Sequence, residues 1–581
     1  MGSLAAAIAA TPPDEALVRR ALAAAPWRGD AVRLARTGNV VIGVATGPHP
    51  VAHLATQGRW SAAVVGCVDH PPNDDPAAAV LAAFRQVGPR APGNLRGAWA
   101  AVVTDGSTLW CARDHVGFEP LFWAEAQGGA RLVASEPKQV LAGTGRAAVP
   151  DPEGVRQIVT GVVEPERTAF AGVARSPAGT VVTLVPGRPP MTSRYWDPRA
   201  LVESAPLRVD EAVEALVPLL EQAVARCVTG ADALLLSGGI DSPTIAAFAA
   251  PLHLARGGRP LVALSATFPH LPSVDERRLV EQVSAWCGLD LHPYEPEAGA
   301  LDDLEVHVRQ LDGPWDLLSM PEVAEALRRA REAGATTLLS GELAEYAHGS
   351  RLHLLAHLVL TGRWPAAVAE YRRMRAARVG RRRILADLAL GMTPAPLAAW
   401  WARLRRLDGR RLPGWVGPAL VGGTSYRPDL DPPARRRWPE QQVAPFAGAS
   451  VAMEAEAMCA ARFGVQLRYP LADIDLWSLF LALRAEVKFP PGPSKVLVRR
   501  AMAGRLPPEI LDRRTKTLFD DHVREIVDYD ALRRYTVDAP RKVPGVDYEA
   551  LAARLASRDL DMAEITWACD IARANAFLSQ W

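Results

Sequence analysis

The run Leu234-Leu235-Leu236-Ser237-Gly238-Gly239-Ile240-Asp241-Ser242-Pro243 assembles residue types suited to a polyphosphate. An apolar strand ends in Ser-Gly-Gly, and glycines let backbone N–H groups come close to an anion. The helix that follows adds its positive N-terminal end. Ser242 is suited to cap that helix and Pro243 to occupy its first turn. Asp241 sets a carboxylate beside the phosphates, which makes sense with a cation between them, most simply Mg²⁺. A tight turn of small residues is the plainer use of this stretch, but strand, turn, carboxylate, cap and proline all agree on the phosphate loop. A second group is Ser340-Gly341-Glu342, directly after an apolar run at 336–339, with Glu345 three residues on. A residue at the C-terminal end of a parallel strand faces the crevice where ligands bind. A glutamate placed there is a candidate base, and its plainer role is to cap a backbone turn.

These residues need a scaffold, and the patterning supplies one. Val213, Leu216, Val217, Leu220 and Val224 recur at helical spacing. Strands are expected at 233–236, 261–268 and 336–339, separated by helices, which argues for a parallel sheet covered by helices. Beyond Leu352 the chain reads as mostly helical. Residues 1 to about 185 read differently, as short strands at 40–44, 62–68, 98–103, 108–112 and 131–135 punctuated by Gly, Pro and Asp. The stretch 186–199 is rich in Pro and polar residues and is expected to be a linker. The expected division is therefore 1–197 and 205–581.

Composition excludes several classes. Over 581 residues the chain is 49% hydrophobic and 22% charged with net charge +2, which suits a folded protein and gives no general field for nucleic acid. No apolar run is long enough to span a bilayer, and the cytoplasm is the expected compartment. The six cysteines, Cys67, Cys111, Cys227, Cys287, Cys459 and Cys569, form no Cys-x-x-Cys pair and are expected to be buried thiols. Lysine occurs only at 138, 488, 495, 516 and 542, and the other 61 of the 66 basic residues are arginine. A retained lysine marks a place where a compact ammonium differs from a planar guanidinium. Arginine-rich stretches at 372–383, 403–411 and 435–437, near Trp400, Trp401, Trp415 and Trp438, read as solvated helix faces or as a docking surface for an acidic peptide.

The loop at 237–242 resembles that of ATP pyrophosphatases, which cleave ATP between the α and β phosphates. The wider chain resembles the asparagine synthetase family. In the first half, Arg113-Asp114 through Gly117 to Pro120-Leu121, then Ala134-Ser135-Glu136-Pro137-Lys138 and Tyr195-Trp196, look like motifs of its glutaminase domain. In the second half, Ser340-Gly341-Glu342 with Glu345, Arg468-Tyr469-Pro470-Leu471-Ala472-Asp473, Lys495 with Arg499, Leu506-Pro507 and Arg513 to Lys516 resemble those of its synthetase domain. The resemblance implies an α/β chain: an N-terminal αββα sandwich and a C-terminal ATP pyrophosphatase domain with a parallel sheet.

It also implies roles. Ser237, Gly238, Gly239, Asp241, Ser242 and Arg499 would bind ATP, Asp241 and Glu345 would hold Mg²⁺, Lys495 would neutralise phosphate and oxyanion charge, and Glu342 would be the base. Arg499 and Lys516 serve equally well as structural ion-pair members. Glutamine-using members carry a cysteine nucleophile after the initiator Met, where this chain has Gly2, so no glutaminase activity is expected. Members that dispense with glutamine include β-lactam and carbapenam synthetases and lasso-peptide cyclases. β-Lactam-type members carry Tyr where this chain has Glu342. The runs Arg513 to Phe519 and Thr566 to Cys569 look like lasso cyclases. That implies macrolactam closure of a precursor peptide, with a leader-peptide-binding protein and a leader peptidase as partners. A β-lactam or other small-molecule amide synthetase, an ammonia-dependent asparagine synthetase and a non-catalytic scaffold are the alternatives. Glu345 departs from the usual Asp and Tyr346 from the usual Glu.

Overall fold

Strands buried on both faces form the centre of the N-terminal sandwich. In the strand Gly2–Ile8, Leu4, Ala6 and Ile8 point into one core while Ala5 and Ala7 point into another. This is the period-two alternation of a strand, apolar on both sides because helices cover the outer face. The computed structural model describes residues 2–47, 51–70, 75–161, 164–297, 299, 301–315, 320–394, 397, 412–421 and 437–581. Two six-stranded antiparallel sheets build the sandwich. One runs Ala174–Arg175, Phe122–Glu125, Arg131–Ala134, Gly2–Ile8, Val40–Thr46, Ala31–Thr37. The other runs Met191–Arg194, Thr180–Leu184, Leu109–Arg113, Arg96–Thr104, Trp60–His70, Ala52–Gln57. Leu4, Ile42, Val65, Val102 and Val182 meet between them. The helices Glu15–Ala23 and Pro137–Thr144 cover the first sheet, and Pro76–Val87 covers the second, which completes the αββα layering.

The expected linker at 186–199 is not wholly a linker. Met191–Arg194 pairs with Thr180–Leu184 as an edge strand. All four residues are exposed, so no apolar alternation marks the strand. The thiols also differ from expectation: Cys67 and Cys287 are only partly buried, while the other four are buried.

The second core surrounds a five-stranded sheet ordered Asp290–Tyr294, Val262–Ala266, Asp232–Leu235, Thr337–Leu339, Gln466–Arg468, with every pair parallel. From the central strand Asp232–Leu235 the chain first winds outward to one side through Val262–Ala266. It then returns to Thr337–Leu339 on the other side. The strand order therefore reverses at the C-terminal ends of Asp232–Leu235 and Thr337–Leu339, where open α/β sheets present a crevice. Gln466–Arg468 joins the sheet only after the long, mostly helical region 340–465. Among the described residues no helix is long and apolar enough to cross a membrane.

Candidate active site

The loop after Asp232–Leu235 folds back on itself. Ser237 N–H donates to Ser242 Oγ at 2.9 Å, the two hydroxyls lie 3.0 Å apart, and Gly239 N–H points at Ser237 Oγ at 3.4 Å. Ser242 is therefore not the cap. The helix is Asp241–Gly257 with Ile240 as its N-cap, because the Ser242 hydroxyl is spent on the loop. Pro243 accordingly sits at the third helical position rather than the first. Gly238 N–H donates to Glu276 Oε2 at 2.8 Å, and Arg513 grips the Gly238 carbonyl at 2.6 Å and Glu276 at 2.7 Å. Thr517 completes this brace, donating to Glu276 at 2.7 Å. Glycine is required opposite the loop too: a Cβ on Gly341 would lie 2.9 Å from the Ser242 amide nitrogen.

Charge concentrates around that loop. Lys495 pairs with Asp241 from the N-terminus of helix Val496–Ala501, where its backbone is left-handed at φ 59°. Such a conformation in a non-glycine residue is strained and persists where surrounding structure enforces it. The Asp241 carboxyl is pushed above its usual range by burial, opposed chiefly by Lys495, while Glu345 raises it further and Lys516 lowers it. Glu345 and Lys516 therefore both stand near Asp241. Arg499, its pKa lowered by burial, also feels the Asp241 charge. Its guanidinium donates to the carbonyls of Ser494, Ile510 and Leu511 at 2.7, 3.0 and 2.6 Å, which braces the loops behind the site.

Glu342 lines the other wall. It opens onto the crevice, yet protein crowds the carboxyl on its remaining sides. That crowding, with the Glu345 charge, raises its pKa. It meets the carboxyl of Glu456, a residue the sequence did not single out, on the helix Trp438–Phe463. Burial first, and Glu342 second, push Glu456 well above the ordinary carboxylate range. Two carboxyls in contact favour sharing one proton, and the upward push is the stronger on Glu456. Tyr469 donates its hydroxyl to the far side of Glu456. Tyr346 stands nearby, its phenol pushed up by burial and by Glu345, Glu342 and Glu456. The imidazole of His348 is held neutral by burial and by Lys495 and Lys488.

Asp241 and Glu345 suit Mg²⁺. They are hard oxygen donors that sense one another's charge, and Mg²⁺ takes one or two carboxylates and fills its shell with water and phosphate oxygens. Among the described residues no group of three or more His, Cys, Asp or Glu is placed to hold a metal unaided. A small cavity of about 40 Å³ lies elsewhere, between the sandwich and the parallel-sheet domain, beside Asp69, His115, Arg226 and Arg468.

Of the tryptophans singled out, Trp415 and Trp438 are buried in cores. Trp400, Trp401, residues 403–411 and Arg435 and Arg436 lie outside the described residues. Position 2 is closed to a larger side chain, since a Cβ on Gly2 would stand 2.5 Å from the Ala52 Cβ.

Fold and crevice define a class: an antiparallel sandwich packed on a parallel-sheet domain whose switch point carries a phosphate-type loop opposite paired carboxyls. The chain belongs to the asparagine synthase family, whose profile matches residues 215–564, and a glutamine amidotransferase domain profile matches 74–196. It is 36% identical over 171 residues to the carboxyethyl-arginine beta-lactam-synthase of Streptomyces clavuligerus, covering 28% of this chain and 29% of that one. It is 34% identical over 188 residues to a Mycobacterium bovis protein provisionally named a glutamine-hydrolyzing asparagine synthetase, covering 30% and 28%. The aligned segments thus span under a third of either relative. A solved allosteric regulatory enzyme of purine biosynthesis overlaps 50% of this chain and 80% of its own at 11% identity, with a TM-score of 0.25.

Proposed function

We propose that this chain is an ATP-dependent ligase that closes a peptide into a macrolactam, joining its N-terminal amine to an Asp or Glu side chain. The observation that carries the reading is the meeting of the Glu342 and Glu456 carboxyls, both pushed up by burial, in the crevice that also holds the Lys495–Asp241 pair. The loop at 237–242 and the N-terminus of helix Asp241–Gly257 receive the triphosphate. Lys495 and Lys516 face its charge. Mg²⁺ on Asp241 and Glu345 would supply neutralisation of the departing pyrophosphate. A substrate carboxylate oxygen attacks the α-phosphorus, the bond to the β-phosphate oxygen breaks, and pyrophosphate leaves. The amine then attacks the acyl carbon, its proton passes to Glu342, and AMP leaves with the electrons of the broken C–O bond. Glu456 and Tyr469 orient Glu342 and buffer that proton. A leader-binding protein and a leader peptidase acting earlier would deliver the free amine.

Glutamine plays no part in this scheme, so incubation with it should yield no glutamate above a buffer control. The deciding experiment is mass spectrometry of an unmodified peptide incubated with ATP, Mg²⁺ and the chain. Loss of one water with AMP formed in equal amount supports the proposal. ATP–pyrophosphate exchange absent with every carboxylate offered would leave a binding scaffold.

The similarity to the beta-lactam synthase favours a second reading, closure of a small amino diacid. Exchange stimulated by such diacids and never by peptides would establish it instead.

A further inference from the structure

The helix Trp364–Ala376 is apolar on two faces. Its inner face, with Ala367 and Met374, packs against the helices Leu354–Leu360 and Arg381–Met392. On its outer face, Trp364, Val368 and Tyr371 stand 61%, 48% and 40% exposed. Their spacing of i, i+4 and i+7 aligns them in one row, and Arg375 at i+11 continues it with Arg372 alongside. Single exposed apolar residues need no explanation, whereas a row of large ones marks an interaction surface.

The charge around this row has one sign. Arg372, Arg375, Arg378, Arg381, Arg382 and Arg383 are exposed and have no carboxylate partner among the described residues. The two carboxylates in these helices are already taken: Glu370 holds Arg351 and Arg373, and Asp387 holds His353. Guanidinium groups without a carboxylate, among which Arg375 donates to the Val379 carbonyl at 3.0 Å, offer planar donors that match carboxylates.

We infer that the outer face of the helix Trp364–Ala376 docks an acidic peptide segment bearing aromatic or aliphatic side chains. This rests on the peptide reading of the active site, and the segment is the part of the substrate that does not react. Three aligned apolar side chains suit the short apolar repeat of a peptide and are few for a lipid surface, where binding scales with buried apolar area. A net charge of +2 over the whole chain gives polynucleotides no general attraction.

The test uses the full chain without ATP, so it reads docking whether or not ring closure succeeds. The probe is a fluorescein-labelled peptide of three Glu-Leu-Glu-Phe repeats, followed by anisotropy. One control peptide has Lys for Glu, and another has Ser for Leu and Phe. Binding to the unaltered chain should weaken at least tenfold in the double variant Trp364→Ser/Tyr371→Ser and in Arg372→Glu/Arg375→Glu. Both control peptides should also bind at least tenfold more weakly. Added salt should reduce binding, since exposed charges are screened over about 8 Å at physiological ionic strength. Trp286→Ser, at another exposed tryptophan, should leave binding unchanged. The inference is overturned by equal binding in the face variants, by equal binding of the Lys peptide, or by no binding at all. It is also overturned if phosphatidylserine vesicles or oligouridine bind more tightly than the peptide and lose binding in the same variants.

Discussion

Glu454 and Glu456 stand two residues apart on one helix, and their surroundings are opposite. Glu454 is sealed from solvent and receives two guanidinium groups from the sandwich, Arg113 at 2.6 Å and Arg175 at 2.7 Å. Glu456 is half-buried at the crevice and receives a carboxyl and a phenol. The first is held by two guanidinium groups. The second is pushed well above the ordinary carboxylate range by burial and by Glu342. One residue ties two domains together, and the other faces the carboxyl proposed as the base. The contrast shows that burial alone does not assign a role to a carboxylate. The partners do.

The largest test of that contrast acts on the far member of the proton pair. Glu342→Gln keeps the shape and removes the basicity, so amide formation should fall by about 10²- to 10⁴-fold. ATP–pyrophosphate exchange should persist in the same variant. If exchange and product fall together, Glu342 serves ATP or metal binding and the pair is not a base.

The two helix residues can then be compared directly. Glu454→Gln leaves two buried guanidinium groups facing a neutral amide and should cost ~3–5 kcal/mol in denaturant unfolding, the range for a broken buried pair. Glu456→Gln replaces a protonated carboxyl by an isosteric amide and should leave stability nearly unchanged at neutral pH while slowing product formation. Equal losses of stability in the two variants would erase the distinction.

pH dependence sharpens it further. The folded state keeps a proton on Glu456 at pH values where an unfolded glutamate, with a pKa of about 4.3, has lost it. A group whose folded pKa is raised stabilises fully below the unfolded value, and that contribution is lost as pH rises toward the folded one. Unfolding free energy should therefore fall with pH from about 4.3 upward, and Glu456→Gln should flatten the slope. In activity the sign is reversed. Glu342 must be ionised to accept a proton, and its own pKa is raised. The acid limb of product formation should accordingly lie above the ordinary carboxylate range.

The smallest expected effect is at Tyr469. Tyr469→Phe removes one hydrogen bond to Glu456 and should cost about 1 kcal/mol. Its trace should be a change in the pH profile, with ATP–pyrophosphate exchange unaltered.

Much of this site was legible in the sequence because it is local. Strand, Gly-Gly turn, Asp241 and the following helix adjoin one another, and Glu342 follows its strand directly. Glu456 was not legible, because what gives it meaning is contact with Glu342 across 114 positions. The one signal was two carboxylates within an apolar helical stretch, Met453-Glu454-Ala455-Glu456-Ala457-Met458, where burial demands partners. The cap was misplaced for a related reason, since the Ser242 hydroxyl turns back to Ser237 instead of serving its own helix. The three carbonyls that Arg499 holds were not legible either, since they come from positions 5 to 12 residues away. The sandwich was legible because helices cover both its outer faces and leave continuous apolar strands.

The region 340–465 leaves the sheet after Leu339 and rejoins it at Gln466. Glu342 lies three residues after the departure and Glu456 ten before the return. Both halves of the proton pair are thus anchored by sheet hydrogen bonds at the two ends of one excursion. Glu345, Tyr346 and His348 keep to the departing end of that excursion, close after Glu342. The helix Trp364–Ala376 belongs to the same excursion. One excursion from the sheet therefore carries the carboxyl pair near its ends and, between them, the exposed row proposed to dock a peptide.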